Sequence, residues 1–151
     1  MQEQYQNIAI RSLEAARINL ESGIHEMAAF CCYHAYESSA SALAASLNEP
    51  HGKGITHGHK LNVFLKCVKK RTSVVGFRTK VSALNAKFLS LGGSKVPFRD
   101  RLLYPEQPTD NSEDVMIPEN VITPEQVERL LQNVQEVVDW VGQQIQYQQT
   151  P

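Results

Sequence analysis

Tryptophan occurs once in the 151 residues, aromatics make up only 7%, and cysteine appears three times. Cys31, Cys32 and Cys67 are too few for a disulfide scaffold, and none forms a C-x-x-C metal-ligand pair. A reducing, cytoplasmic setting is the expectation. No run of 18 apolar residues exists, so no membrane span is supported. The polar stretch Met1 to Tyr5 is not followed by a signal-peptide pattern. The chain also lacks a G-x-x-x-x-G-K-S/T phosphate loop, a G-x-G-x-x-G turn, an H-E-x-x-H or E-x-x-H pair and a G-x-S-x-G elbow. These absences remove the commonest nucleotide-hydrolase, dinucleotide, metalloprotease and serine-hydrolase readings.

Acidic residues are nearly absent from the middle of the chain. Residues 51–103 carry twelve lysines or arginines and only Asp100, a net of +11. Residues 1–50 set two arginines against six glutamates, a net of −4. Residues 104–151 set Arg129 against nine acids, a net of −8. A whole-chain charge of −1 conceals this segregation. An anionic partner, nucleic acid or nucleotide first, explains it. The alternative is that the basic third folds against the acidic ends.

Hydrophobic residues at 42% are ample for one core, and the length suits one domain over 1–151. Tyr5, Ile8, Ala9, Leu13, Ala16 and Leu20 recur at helical spacing, predicting a helix over 3–21 stopped by Gly23. An Ala-, Ser- and Cys-rich helix is predicted over 24–47. Pro50 and three glycines make 48–58 a loop, and helices follow over about 59–70 and 72–91. Residues 94–122 lack a helical period and hold four prolines, and 106–120 reads as a mobile acidic surface loop. Thr123, Pro124 and Gln126 form a capping box, opening a last helix that reaches about Gln148. The fold class is all-α, an up-and-down bundle of four to five helices. The second and last helices offer more apolar surface than one such bundle needs, so a homodimer is expected.

Two segments carry candidate chemistry. On the second helix, His34, Glu37, Ser38 and Ser41 lie at three-to-four spacing. Later, Pro97-Phe98-Arg99-Asp100-Arg101-Leu102-Leu103-Tyr104-Pro105 interleaves arginine with aromatics, suited to phosphate contact and base stacking. The structural alternative pairs Arg99 with Glu37 and sends Phe98 and Tyr104 into the core. The candidate ligand-binding residues are Arg99, Arg101, Lys95, His59 and Glu37. The loop histidines His51, His57 and His59 are read as solvated or capping residues, so no metal is expected. Cys31 and Cys32 read as packing residues. No cofactor is expected.

Three stretches in order carry a family resemblance. They are Ser12-Leu13-Glu14-Ala15-Ala16 through Gly23 to Ala35-Tyr36-Glu37, then His59-Lys60-Leu61-Asn62-Val63-Phe64-Leu65, then Arg99-Asp100-Arg101-Leu102-Leu103-Tyr104-Pro105. Together they resemble the HEPN superfamily over about residues 8–145. That resemblance implies a four- or five-helix bundle, usually a two-fold dimer with the Arg99 segments near the axis. Many members are metal-independent ribonucleases of toxin–antitoxin, abortive-infection and CRISPR systems. Their site is an arginine, a polar residue, a few further residues and a histidine. Arg99 and Asp100 match its start, but Tyr104 fills the histidine position, and no histidine follows His59.

A tyrosine, with an ordinary pKa near ~10, is a poor base at neutral pH, whereas histidine near ~6.5 is a good one. The expectation is therefore a non-catalytic bundle that binds RNA or nucleotide. It would act with a protein partner, such as a neighbouring nucleotidyltransferase or defence protein. If the chain is active, Arg99, Asp100, Tyr104 and His34 are the candidate catalytic residues of an altered ribonuclease toxin. A dimeric scaffold without a nucleic-acid role is the third reading.

Overall fold

Small side chains on one central helix organise the molecule. In a computed structural model, residues 1–90, 96–105 and 115–147 are described. The elements are α1 (Gln2–Glu21), α2 (His25–Ser46), α3 (His57–Arg71), α4 (Val75–Leu89), the one-turn α5 (Phe98–Arg101), a 3-10 turn (Pro118–Asn120) and α6 (Pro124–Tyr147). The five longer helices match the expected bundle. Helix α2 contacts α1, α6 and α3, while α4 packs on α3 and α5 on α4. Alanine, serine and cysteine let three neighbours approach α2 at once. Its buried residues accordingly include Ala28, Ala29, Cys32, Ala35, Ser39, Ala40, Ala42 and Ala44.

Helices α1 and α2 form a hairpin turned at Gly23, whose φ of +75° falls where a side chain is strained. Helix α6 buries Val127, Leu130, Val134, Val137, Val138, Val141 and Ile145, the face its period marks out. Its capping box is formed: Thr123 N–H donates to Gln126 Oε1 at 3.0 Å and Gln126 N–H to Thr123 Oγ1 at 3.3 Å. Both α2 and α6 thus place their apolar faces in the molecule's own core. The surplus apolar surface expected of them is not left over. Exposed apolar residues lie elsewhere: Ile8, Ile10 and Ile18 on α1, Val74 and Val75 at the start of α4, and Leu89, Tyr104 and the consecutive Val115, Met116 and Ile117 are among them.

Buried polar groups lock α2, α3 and α4 together. The Tyr36 hydroxyl donates to Asn85 Oδ1 at 2.7 Å, and Asn85 Nδ2 donates to the Leu61 carbonyl at 2.7 Å. One amide therefore joins three helices in a region where an unpaired polar group would be costly. Arg78 closes the far end of α3, donating to the carbonyls of Thr72 and Lys69.

Two elements differ from the sequence reading. Helix α3 starts at His57, capped by the Thr56 side chain, which accepts from His59 N–H. Residues 57 and 58 are helical rather than loop, despite the glycine. The stretch 94–122 contains the helical turn α5, which follows Pro97, and the 3-10 turn, which opens on Pro118. Within the expected acidic loop, residues 106–114 lie outside the described residues, and 115–120 are mostly exposed.

Candidate functional site

Tyr33 and Glu37 stand one turn apart on α2, so both point toward α3 and α5. The Glu37 carboxylate is buried and collects three donors. The Tyr33 hydroxyl donates to Oε2 at 2.6 Å and Lys60 Nζ to Oε1 at 2.8 Å. His57 Nδ1 closes on Oε2 as well. His57 and Lys60 are three residues apart at the start of α3 and so share a face. Burial alone would raise the Glu37 pKa, but Lys60, Tyr33 and His57 together hold it below the ordinary carboxylate value. Tyr33 is pushed well up, first by burial and then by its bond to Glu37, and remains a phenol.

Around this carboxylate runs a seam of aromatic rings. Tyr33 meets Phe88 edge-on at 5.2 Å, and Phe88 meets Phe98 at 6.3 Å. Cations lie over the seam. The Arg99 guanidinium sits 5.5 Å from the Phe30 ring centre and 5.9 Å from that of Tyr33. Arg101 and Lys87 both lie over Phe98, at 5.6 and 5.5 Å. Such contacts hold a cation in place while part of it faces water. Arg99 Nη1 also pairs with Asp100 Oδ1 at 2.7 Å, and its side chain is 31% exposed. Arg101 Nη2 reaches the Ser90 carbonyl at 3.5 Å. Lys60 pairs with Glu37 and Arg99 with Asp100, while Lys87 and Arg101 lie over Phe98 with no carboxylate partner among these groups, so the corner carries four cations against two carboxylates.

Lys87 also lines a cleft of about 610 Å³ between α4 and α6, with Lys80, Arg129, Gln126 and the apolar Leu84 and Leu130. The seam and the cleft therefore share a cation.

The arrangement corrects several expectations. Glu37 does not bridge to Arg99, because His57 and Lys60 reach the carboxylate first. Phe98 does enter the core, but Tyr104 is 65% exposed and does not. His34 is exposed and faces α1, where Nδ1 meets Ser12 Oγ at 3.1 Å. It shares no contact with Glu37 and stands outside the corner. His59 is exposed and serves the cap through its backbone. Lys95 lies outside the described residues. Arg99, Asp100, Arg101 and Glu37 are brought to one corner.

Charge balancing between the basic middle and the acidic ends is real but local. Lys60 pairs with Glu37, Lys70 with Glu49 and Lys80 with Glu136.

Sequence reasoning did not select Tyr33, Lys60 or Lys87, and it read His57 as a solvated or capping loop residue, where the structure ties it to Glu37. A usable signal existed for His57 and Lys60. Thr56 is a good N-cap, and starting α3 there puts the two side chains on one face.

Among the described residues, no three His, Cys, Asp or Glu side chains are grouped to hold a metal ion. No described helix is long and apolar enough to cross a membrane. Burial pushes the Cys32 thiol up to about 12, so it remains protonated.

The profile of the HEPN domain family matches residues 2–145. No curated protein sequence matches the chain. The crystal structure of an archaeal HEPN homologue superposes with a TM-score of 0.61 at 17% identity, covering 96% of this chain and 98% of the other. At that identity the likeness is one of fold.

Proposed function

This chain belongs to the HEPN domain family, and from that premise we propose that it binds single-stranded RNA through the cationic corner formed by α2, α3, α4 and α5. The observation that carries the reading is the placement of Arg99, Arg101 and Lys87 on aromatic rings at a half-exposed surface. Fixed cations suit phosphate oxygens, because guanidinium and ammonium groups need no proton exchange to bind them. The Lys80, Lys87 and Arg129 cleft extends the positive surface beyond the corner. A strand is favoured over a compact nucleotide because the cations run along a seam instead of converging on one phosphate.

Tyr104 takes no part as a base. It stands where the family's ribonuclease motif has histidine, and a phenol is protonated at neutral pH. The late-helix segment acts by binding.

A homodimer with the α5 turns near its axis completes the reading. It is supported by family membership and by the exposed Leu89, Tyr104, Val115, Met116 and Ile117. A protein partner from a toxin–antitoxin or defence system, such as a nucleotidyltransferase, belongs to the same proposal, and the gene neighbourhood tests it. Binding is tested by fluorescence anisotropy with labelled single-stranded RNA, with a mononucleotide as competitor. Displacement of the RNA by the mononucleotide at similar affinity would favour a nucleotide site, and no binding to either would leave the dimeric scaffold.

A further inference from the structure

We propose that the cleft between α4 and α6 receives helix α1 of a second copy of this chain, a charge-matched contact separate from the dimer built around the α5 turns.

The cleft has the form of a groove for a helix. Helices α4 and α6 run antiparallel along it. Phe77 meets Trp140 with ring centres 4.6 Å apart, and a turn further along α4 Lys80 pairs with Glu136. Alongside these ties the two helices leave a space of about 610 Å³. Its floor is apolar, made by the buried Leu84 and Leu130. Gly76, Thr79 and Ala83 form an exposed row of small residues on the α4 side. A Cβ added at Gly76 would meet nothing within 4 Å. Such a row leaves room for a third helix to approach. From Gly76 to Lys87 the groove runs about 17 Å, three helical turns.

The groove carries positive charge that the molecule does not balance. Among the described residues, no aspartate or glutamate lines it. Lys80 is taken by Glu136, but neither Lys87 nor Arg129 closes an ion pair among the described residues. Arg129 donates Nε to the Glu125 carbonyl, and Lys87 lies over Phe98.

Helix α1 presents the opposite character. Ile10, Glu14, Ile18 and Glu21 recur at three-to-four spacing and are all exposed, the isoleucines at 51% and 57%. Neither glutamate closes an ion pair among the described residues. Arg11 and Arg17 lie to either side of this face, and Arg17 is held by Gln135. From Ile10 to Glu21 the face is again about 17 Å long. It cannot reach its own groove, because α1 is packed on α2 and α6. A second copy supplies the match, with Glu14 and Glu21 against Lys87 and Arg129 while Ile10 and Ile18 cover Leu84 and Leu130. The acidic first block and the basic middle already pair within one molecule at Glu37–Lys60 and Glu49–Lys70. The proposed contact extends that pairing between molecules. One helix in one groove makes a small interface, so association is weak and sensitive to concentration and salt.

Sedimentation velocity on the full chain, without RNA, tests the contact at low and high salt up to high micromolar concentration. In low salt the wild type should form a species larger than the one that remains in high salt. Lys87→Glu/Arg129→Glu reverses the groove, and Glu14→Lys/Glu21→Lys reverses the helix face. Each alone should weaken the association by at least about tenfold, since like charges then face each other across the contact. An equimolar mixture of the two variants should regain the larger species, because the reversed charges are again opposite; a misfolded variant could not do this. Ala83→Arg adds a cation but fills the groove, and should also abolish the larger species. The same wild-type mass at both salts would overturn the proposal, as would a mixture no larger than its components. So would an Ala83→Arg protein that associates as well as wild type, which would reduce the effect to unspecific charge attraction. None of these results depends on RNA binding.

Discussion

Arg99 and His57, 42 residues apart in sequence, both lie against the Tyr33 ring, the guanidinium 5.9 Å and the imidazole 6.1 Å from its centre. One aromatic side chain thus sets the spacing between a guanidinium and an imidazole. Tyr33 is in turn fixed by Phe88 beside it and by its hydroxyl bond to Glu37.

Glu37 makes the corner sensitive to acid. Its pKa is lower in the folded protein than its ordinary value, because Lys60, Tyr33 and His57 outweigh the opposing effect of burial. A depressed carboxylate contributes stability that is full above its unfolded pKa and is lost as pH falls through the folded one. Glu37→Ala also leaves Lys60, only 15% exposed, beside an empty carboxylate site. We expect a loss of about 3 kcal/mol at neutral pH, the scale of breaking a buried ion pair. Urea unfolding of both proteins between about pH 3 and 7 checks this. The gap between wild type and variant should narrow below the ordinary carboxylate range. A gap independent of pH would mean that Glu37 acts only by packing.

Tyr36 tests the polar lock between α2, α3 and α4. Tyr36→Phe keeps the ring but removes the hydroxyl that donates to Asn85 Oδ1. A loss of about 1–2 kcal/mol is expected from the buried acceptor left short of a donor. Thermal or urea unfolding measures it, and an unchanged midpoint would contradict the role given to Asn85.

The bundle was legible in the sequence because its helices carry strong local signals. The α6 face and the Thr123–Gln126 box were readable from spacing alone, since a helix period and a cap need only neighbouring residues. The start of α3 was not, because Gly58 between two histidines resembles a loop. There the Thr56 cap and the tie from His57 to Glu37 outweigh a glycine cost of about 1 kcal/mol. The short α5 turn sits between masking signals, with Pro97 before it and Pro105 after it.

The site was half legible. Arg99, Asp100, Arg101 and Glu37 were found because motif order and residue type identify them. Their pairing was not, because Lys60 and His57 compete for Glu37 from a segment 20 or more residues away. Local spacing cannot say which of several cations reaches a carboxylate first. The exposure of Tyr104 depends on how α5 docks and could not be read from the sequence.

Association is the third expected outcome. Light scattering on the purified chain should report twice the monomer mass at micromolar concentration. Replacing the exposed Met116 and Ile117 by Ser should shift the protein toward monomer. A wild-type monomer at high micromolar concentration would contradict the dimer.

RNA affinity as a function of salt tests the central claim most directly. Each phosphate neutralised releases counterions, so the logarithm of the association constant should fall linearly with the logarithm of salt, by about 0.7 per contact for a single strand. Wild type is compared with Arg99→Ala/Arg101→Ala, in which circular dichroism confirms the helices. The account predicts weaker binding by the variant and a slope shallower by about 1.4, two contacts' worth. An identical affinity and slope in both proteins, or no RNA binding by the wild type, would contradict it.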